Sequence, residues 1–150
     1  LNLTELLTED MIILDLKGES KVEVIHELIS LLEHKGFLTN KEVFTNAVFD
    51  REEEGTTGIG FNIAIPHGKS NAIKKPAIVF GKKENGIDWN SFDGTDAKLI
   101  FLIGVPEKNA GDEHLKILQL LSRKLIDDDF RSALLDAPTK EDIIELLAQI

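Results

Sequence analysis

The chain has 150 residues, 42% hydrophobic and 29% charged, the size and balance of one globular domain with one core. Lys and Arg number 17 against 27 Asp and Glu, and the net charge of −10 argues against nucleic acid or an anionic membrane surface as the main partner and suits a basic protein partner. Cysteine is absent, which excludes disulfides, zinc-thiolate sites and a thiol nucleophile.

In chain order, the apolar run Met11-Ile12-Ile13-Leu14, with Leu16 after it, predicts a strand. Ile25, Leu28, Ile29 and Leu32 follow at i, i+3, i+4 and i+7, the stripe of an amphipathic helix ending near Gly36. Thr39 with Glu42 is a capping-box pattern opening a second helix, whose stripe is Phe44, Ala47, Val48 and Arg51. The middle of the chain changes character: Ile63 to Ile65, Pro76 to Phe80 and Lys98 to Val105 read as short apolar or β-rich runs, divided by turns such as Glu84-Asn85-Gly86 and Asp93-Gly94. The last third returns to helix, with one stripe at His114, Leu118, Leu121 and Leu125 and another at Ile143, Leu146, Leu147 and Ile150 after a start at Thr139. Helices flanking a central set of strands predict a single-domain α/β sandwich over residues 1–150, and the absence of strict βαβ alternation predicts a mixed sheet. The apolar run from Leu99 to Val105 is far too short to span a bilayer and the N-terminus lacks a signal-like segment, so a cytoplasmic protein without membrane insertion is expected. A start at Leu1 rather than Met points to a domain cut from a longer polypeptide or a trimmed chain.

Of the four histidines, His34 falls opposite its helix's apolar stripe and His26 beside it, so both read as surface or structural residues. His67 lies between Pro66, which fixes its own φ, and Gly68, which permits a sharp turn or a close backbone approach. On spacing alone two readings stay open: a hairpin corner whose histidine caps a strand, and a histidine placed to react. His114 occupies an apolar stripe at the start of its helix, where it is either a satisfied core residue or a group near the unpaired N–H donors that suit phosphate oxygens. Arg51 continues an apolar stripe at the end of its helix, where a guanidinium must snorkel or meet an anion.

Five segments occur in an order that marks one family: Arg51-Glu52-Glu53, Thr57-Gly58-Ile59-Gly60, Ala64-Ile65-Pro66-His67-Gly68, Val105-Pro106-Glu107 and Asp112-Glu113-His114-Leu115. Together they resemble the IIA domain of the fructose and mannitol class of the bacterial phosphoenolpyruvate-dependent sugar phosphotransferase system, including its nitrogen-regulatory relatives. The resemblance spans nearly the whole chain, and the Ala-Ile-Pro-His-Gly piece is its most specific part. It implies that His67 takes a phosphoryl group from the histidine of the carrier HPr and passes it to a IIB domain, that His114 supports the site without being the carrier, and that Arg51 stabilises the phosphate. The acceptor in such IIB domains is often a cysteine, which this chain lacks, so the acceptor lies elsewhere, in an associated or fused IIB/IIC component. No cofactor and no metal are expected.

The chemistry of the residues agrees with this picture. A neutral imidazole is a competent nucleophile near pH 7, and phosphoryl transfer is mostly positioning and charge stabilisation. Thr57, Lys69 and Ser70 are weaker candidates for polar contacts nearby, and Lys69, Lys74 and Lys75 either serve phosphate or solubilise a loop. Ile59, Phe61 and Ile63 form an apolar rim for docking or, for Ile63 above all, strand core. Asn62 replaces the glycine of many relatives, at a turn whose left-handed backbone asparagine tolerates. Sugar uptake of the fructose type is the first functional expectation. The second is a nitrogen-type regulatory phosphoprotein that binds targets according to His67 phosphorylation. A metal-dependent hydrolase built on His67, His114 and carboxylates lacks any HExxH-like spacing.

Overall fold

The computed structural model describes residues 3–150, with the side chains at 109, 110, 111, 113 and 114 outside that description. Six strands, β1 (Ile12–Ile13), β2 (Gly58–Gly60), β3 (Ile63–Ala64), β4 (His67–Lys69), β5 (Ala77–Ile87) and β6 (Ala97–Val105), form one sheet. The helices are α1 (Lys21–His34), α2 (Lys41–Glu54), α3 (Ala110–Leu125), α4 (Asp128–Asp136) and α5 (Lys140–Leu147). The sheet order is β1-β5-β6-β3-β2, with β4 also on β6. Pairs β1/β5, β3/β6 and β4/β6 are parallel while β5/β6 and β2/β3 are antiparallel, the mixed sheet that the sequence predicts.

β6 is the central strand, and its apolar run is buried on both sides. Leu99, Phe101, Ile103 and Val105 pack in one core layer with Ile117, Leu121, Leu125, Phe130, Leu134, Ile143 and Leu147 of α3, α4 and α5. Ile100 and Leu102 point the other way, into a layer with Ile25, Leu28, Ile29 and Leu32 of α1 and Phe44 and Val48 of α2. Strand periodicity therefore splits the apolar residues into two layers, a helix/sheet/helix sandwich.

Local details adjust several expectations. The cap of α2 is Asn40, whose side chain accepts from the Val43 N–H at 3.1 Å. Thr39 instead turns its hydroxyl and N–H to the Ala72 carbonyl, at 3.2 and 2.8 Å, tying the start of α2 to the loop after β4. Glu84-Asn85-Gly86 is no turn between strands: β5 runs through it with a register shift, and Gly86 takes up the irregularity at φ +78°. α4 is a separate helix that the apolar stripes alone do not mark off, opened by Asp127, whose side chain accepts from Asp129 N–H. The Thr139 start of α5 holds, its side chain accepting from the Asp142 N–H at 3.1 Å. Phe61 and Asn62, with φ of 56° and 67°, make the two-residue turn between β2 and β3, the positive-φ pair that a type I′ hairpin needs.

Candidate active site

β3 and β4 run along the same edge of β6 in one register, since Ala64 pairs with Ile100 and His67 with Ile103, an offset of 36 residues in each case. Pro66 between them has no N–H to give, but its carbonyl accepts from Ile103 N–H at 3.0 Å, so the line of the strand survives. His67 thereby shares the side of the sheet with Ile103, towards the α3–α5 layer.

The next residue faces α2 at very short range. A Cβ at Gly68 would lie 2.9 Å from Val48 Cγ2 and 3.3 Å from Val48 N, and one at Gly104, its neighbour across the register, would lie 2.9 Å from Phe44 Cζ. Two glycines thus form the floor on which Phe44 and Val48 rest, and α2 comes closer to the sheet than any side chain would allow. This seats the last turn of α2, with Arg51 and Glu52, where both charges act on His67.

His67 is 8% exposed, and its Nδ1 lies 2.9 Å from the Ile65 carbonyl oxygen. A carbonyl only accepts, so Nδ1 carries the proton, and in the neutral ring the lone pair is on Nε2. Burial pushes the His67 pKa below its ordinary value; the Ile65 carbonyl opposes this, Arg51 and Lys69 reinforce it, and Glu52 opposes it. The ring is therefore neutral and nucleophilic at neutral pH.

Arg51 is half-buried and donates from Nη1 to the Gly55 carbonyl at 2.8 Å. That bond uses one of the five N–H donors of a guanidinium and holds the head group at the end of α2. Position 114 belongs to α3, but the predicted supporting role of His114 falls on a side chain outside the described residues. Among the weaker candidates, Lys69, Lys74 and Lys75 are exposed, and Ser70 is buried with its Oγ accepting from Ala72 N–H at 3.0 Å, a turn-forming bond. Ile63 is core, Ile59 is half-buried and Phe61 is 58% exposed, with the Arg131 guanidinium 4.6 Å from its ring centre. His26 and His34 are on the surface, as their helical positions predict.

Sequence reasoning used Glu52 only within the Arg51-Glu52-Glu53 segment and gave neither it nor Lys21 nor Trp89 a role in the site. The Glu52 side chain is 6% exposed and pairs with Lys21 Nζ at 3.1 Å. Its carboxylate also accepts from the hydroxyl and, at 3.3 Å, the N–H of Thr57, whose Oγ1 accepts from the Trp89 indole N–H at 3.0 Å. The signal available in the sequence was faint: Glu52 sits in a run of acidic residues, where a solvated face is the ordinary reading.

Residues 5–150 match the model of the family described as "Phosphoenolpyruvate-dependent sugar phosphotransferase system, EIIA 2". The chain belongs to this EIIA family. The reading of it as a phosphoryl-relay component of the sugar phosphotransferase system stands with that membership. It is 38% identical over 149 residues to the fructose-specific EIIABC component of Bacillus subtilis, covering 99% of this chain and only 23% of that longer protein. The fold is similar to that of nitrogen regulatory protein IIA-Ntr from Neisseria meningitidis, with a TM-score of 0.88 and 32% identity over 95% of this chain and 97% of the other. It is also similar to mannitol enzyme IIA from Escherichia coli in complex with phosphorylated mannitol enzyme IIB, with a TM-score of 0.83 and 25% identity over 96% and 98% of the two chains. Among the described residues no helix of this EIIA domain is long and apolar enough to cross a membrane.

Proposed function

We propose that this EIIA domain, residues 1–150, carries a phosphoryl group on Nε2 of His67, taking it from phosphorylated HPr and giving it to a IIB domain of a fructose-type sugar system in the cytoplasm. The observation that carries the assignment is the 2.9 Å contact between His67 Nδ1 and the Ile65 carbonyl, which commits the proton to Nδ1 and the lone pair to Nε2. In the transfer, that lone pair attacks phosphorus in line as the bond from phosphorus to the donor imidazole nitrogen breaks, and the donor ring leaves with the electron pair. His67 keeps its Nδ1 proton and its ring acquires positive character, which the Ile65 carbonyl stabilises through the same hydrogen bond. Arg51 neutralises the phosphoryl oxygens from the end of α2, and His114 is assigned the second supporting role by its place in the family's motif.

The apolar rim for the partner is Phe61 with Ile59, since Ile63 is taken up by the core. Phe61 holds an exposed aromatic ring on a turn where glycine or asparagine would be easier, an arrangement that gains meaning if a partner covers it. The association with IIB and IIC components in the fused Bacillus subtilis protein, and with phosphorylated enzyme IIB in the mannitol complex, supports the acceptor.

The test is intact mass after incubation with phosphoenolpyruvate, Enzyme I and HPr, with acid lability checked and His67→Ala run beside the parent. One acid-labile phosphoryl group, absent from the variant, is the expected result; normal phosphorylation of a folded His67→Ala protein overturns the assignment. The likeness to IIA-Ntr keeps a regulatory role as the second reading. Rapid onward transfer to a IIB cysteine favours sugar uptake, whereas phosphorylation-dependent binding of a target without onward transfer favours regulation.

A further inference from the structure

The buried carboxylate of Glu52 is linked to His67 by hydrogen bonds joined through the backbones of Thr57 and Ile65. It accepts from the side chain and N–H of Thr57. The Thr57 carbonyl accepts from Ile65 N–H at 3.0 Å, and the Ile65 carbonyl in turn receives His67 Nδ1–H at 2.9 Å. Each link is a single residue with no slack: Thr57 is 4% exposed, and its hydroxyl is fixed on the far side by the indole N–H of Trp89, itself fully buried. The charge is tolerated because Lys21 pairs with it from α1.

We propose that Glu52 is a positioning residue for His67, setting the ring's orientation and Nδ1–H tautomer through Thr57 and Ile65 so that Nε2 faces the incoming phosphoryl group. The proposal rests on the reading of His67 as the phosphoryl carrier and adds the device that aims it. One turn of α2 then does two jobs: Arg51 turns outward to the phosphate side and Glu52 turns inward to the strand that holds the imidazole. The ring is nearly buried in β4 and gives its Nδ1–H to the Ile65 carbonyl, so what fixes Ile65 also fixes the ring. Glu52 also matters as a charge. Among the described residues, the charged groups acting on the ring are Arg51 and Glu52 from α2 and Lys69 from β4, and Glu52 is the anion among these. It favours the positive character that the ring gains on phosphorylation.

The experiment compares Glu52→Gln, Thr57→Val and Thr57→Ser with the parent by two readouts: nitrogen-15 NMR of the His67 imidazole in unphosphorylated protein, and the initial rate of phosphoryl acceptance from HPr. In Glu52→Gln the Nδ1–H tautomer should lose its dominance, the His67 titration should move to lower pH, and acceptance should slow about tenfold or more. Thr57→Val should show the tautomer and rate changes, and Thr57→Ser, which keeps the hydroxyl, should recover most of both. Folded Glu52→Gln and Thr57→Val proteins with the parent's imidazole spectrum overturn the proposal, even if their rates fall, since slowing alone would report only a structural role. If Glu52→Gln does not fold, the Thr57 pair decides by the same readouts. Should the parent itself accept no phosphate while the spectra shift as expected, the relay reading fails and the positioning stands.

Discussion

The two sides of the sheet at residues 67 and 68 are built for opposite purposes. On the α2 side, Gly68 and Gly104 have no side chains, and Phe44 and Val48 fill the space so tightly that a single Cβ would collide. On the α3 side, the neighbouring residue is a polar ring, nearly buried, giving Nδ1–H to the Ile65 carbonyl and lying within reach of charges. The period of two in a β-strand makes this possible, because adjacent residues answer to different layers. The lesson is that the side proposed to accept the phosphoryl group depends on the packing of the other: α2 carries Arg51 and Glu52, and its distance from the sheet is set by two absent side chains.

Breaking the packed side should therefore cost the most. Phe44→Ala removes the ring that covers both glycines and should destabilise the domain by about 3–5 kcal/mol, read as a lower urea midpoint with an unchanged slope. A loss below about 1 kcal/mol would show that α2 settles into the gap and that the close approach is not held by this ring. Gly68→Ala tests the same side by crowding it, with an expected cost of about 1–3 kcal/mol because the nearest obstacles include the backbone N of Val48. It should also slow phosphoryl acceptance, since moving α2 outward carries Arg51 and Glu52 away from His67. Full activity in a destabilised Gly68→Ala protein would separate the two sides that we connect.

Much of this was legible in the sequence, for reasons that differ by element. The stripes of α1 and α5 and the buried run of β6 are periodic or long enough to be read directly, and the mixed sheet follows from their order. β4 is three residues long and follows directly on Pro66, so no propensity signal reaches it, and only its register against β6 reveals it as a strand. The Thr39 cap was misread because two adjacent residues were both competent caps, and tertiary contact with Ala72 took the first. His67 stood out by its neighbours in sequence, whereas Glu52 owes its position to burial against Thr57 and Trp89, which lies 37 residues further on, and no local pattern encodes that.

The His67 side has its own signature in pH. The pKa of His67 is lower in the folded protein than the ordinary 6.5 expected of the unfolded chain, so the unfolded state binds more protons in the range between the two. The contribution of this residue is thus fully present above pH 6.5 and is lost as the pH falls towards the folded-state pKa. Urea titrations at pH 7.5 and 5.5 should show the parent losing more stability than His67→Gln, whose other titrating groups are the same. An equal or smaller loss in the parent would mean that the folded ring gains a proton partner, and that burial does not dominate its environment.

The smallest effect on stability is expected at the hairpin tip, and it is informative for that reason. Phe61→Asn relieves a bulky residue from positive φ, a gain of about 1 kcal/mol, and gives up the Arg131 stacking, a loss of about 0.5–1 kcal/mol at an exposed site. The two offset each other, so the melting temperature should scarcely move. If the ring serves a partner, the same substitution should still raise the concentration of phosphorylated HPr, or of the IIB domain, needed for half-maximal transfer. The maximal rate should stay at the parent's value, because His67, Ile65 and Glu52 are untouched. A protein with unchanged transfer kinetics would return Phe61 to the class of incidental surface aromatics, whereas a rise in melting temperature of several degrees without the kinetic change would show strain kept for no partner at all.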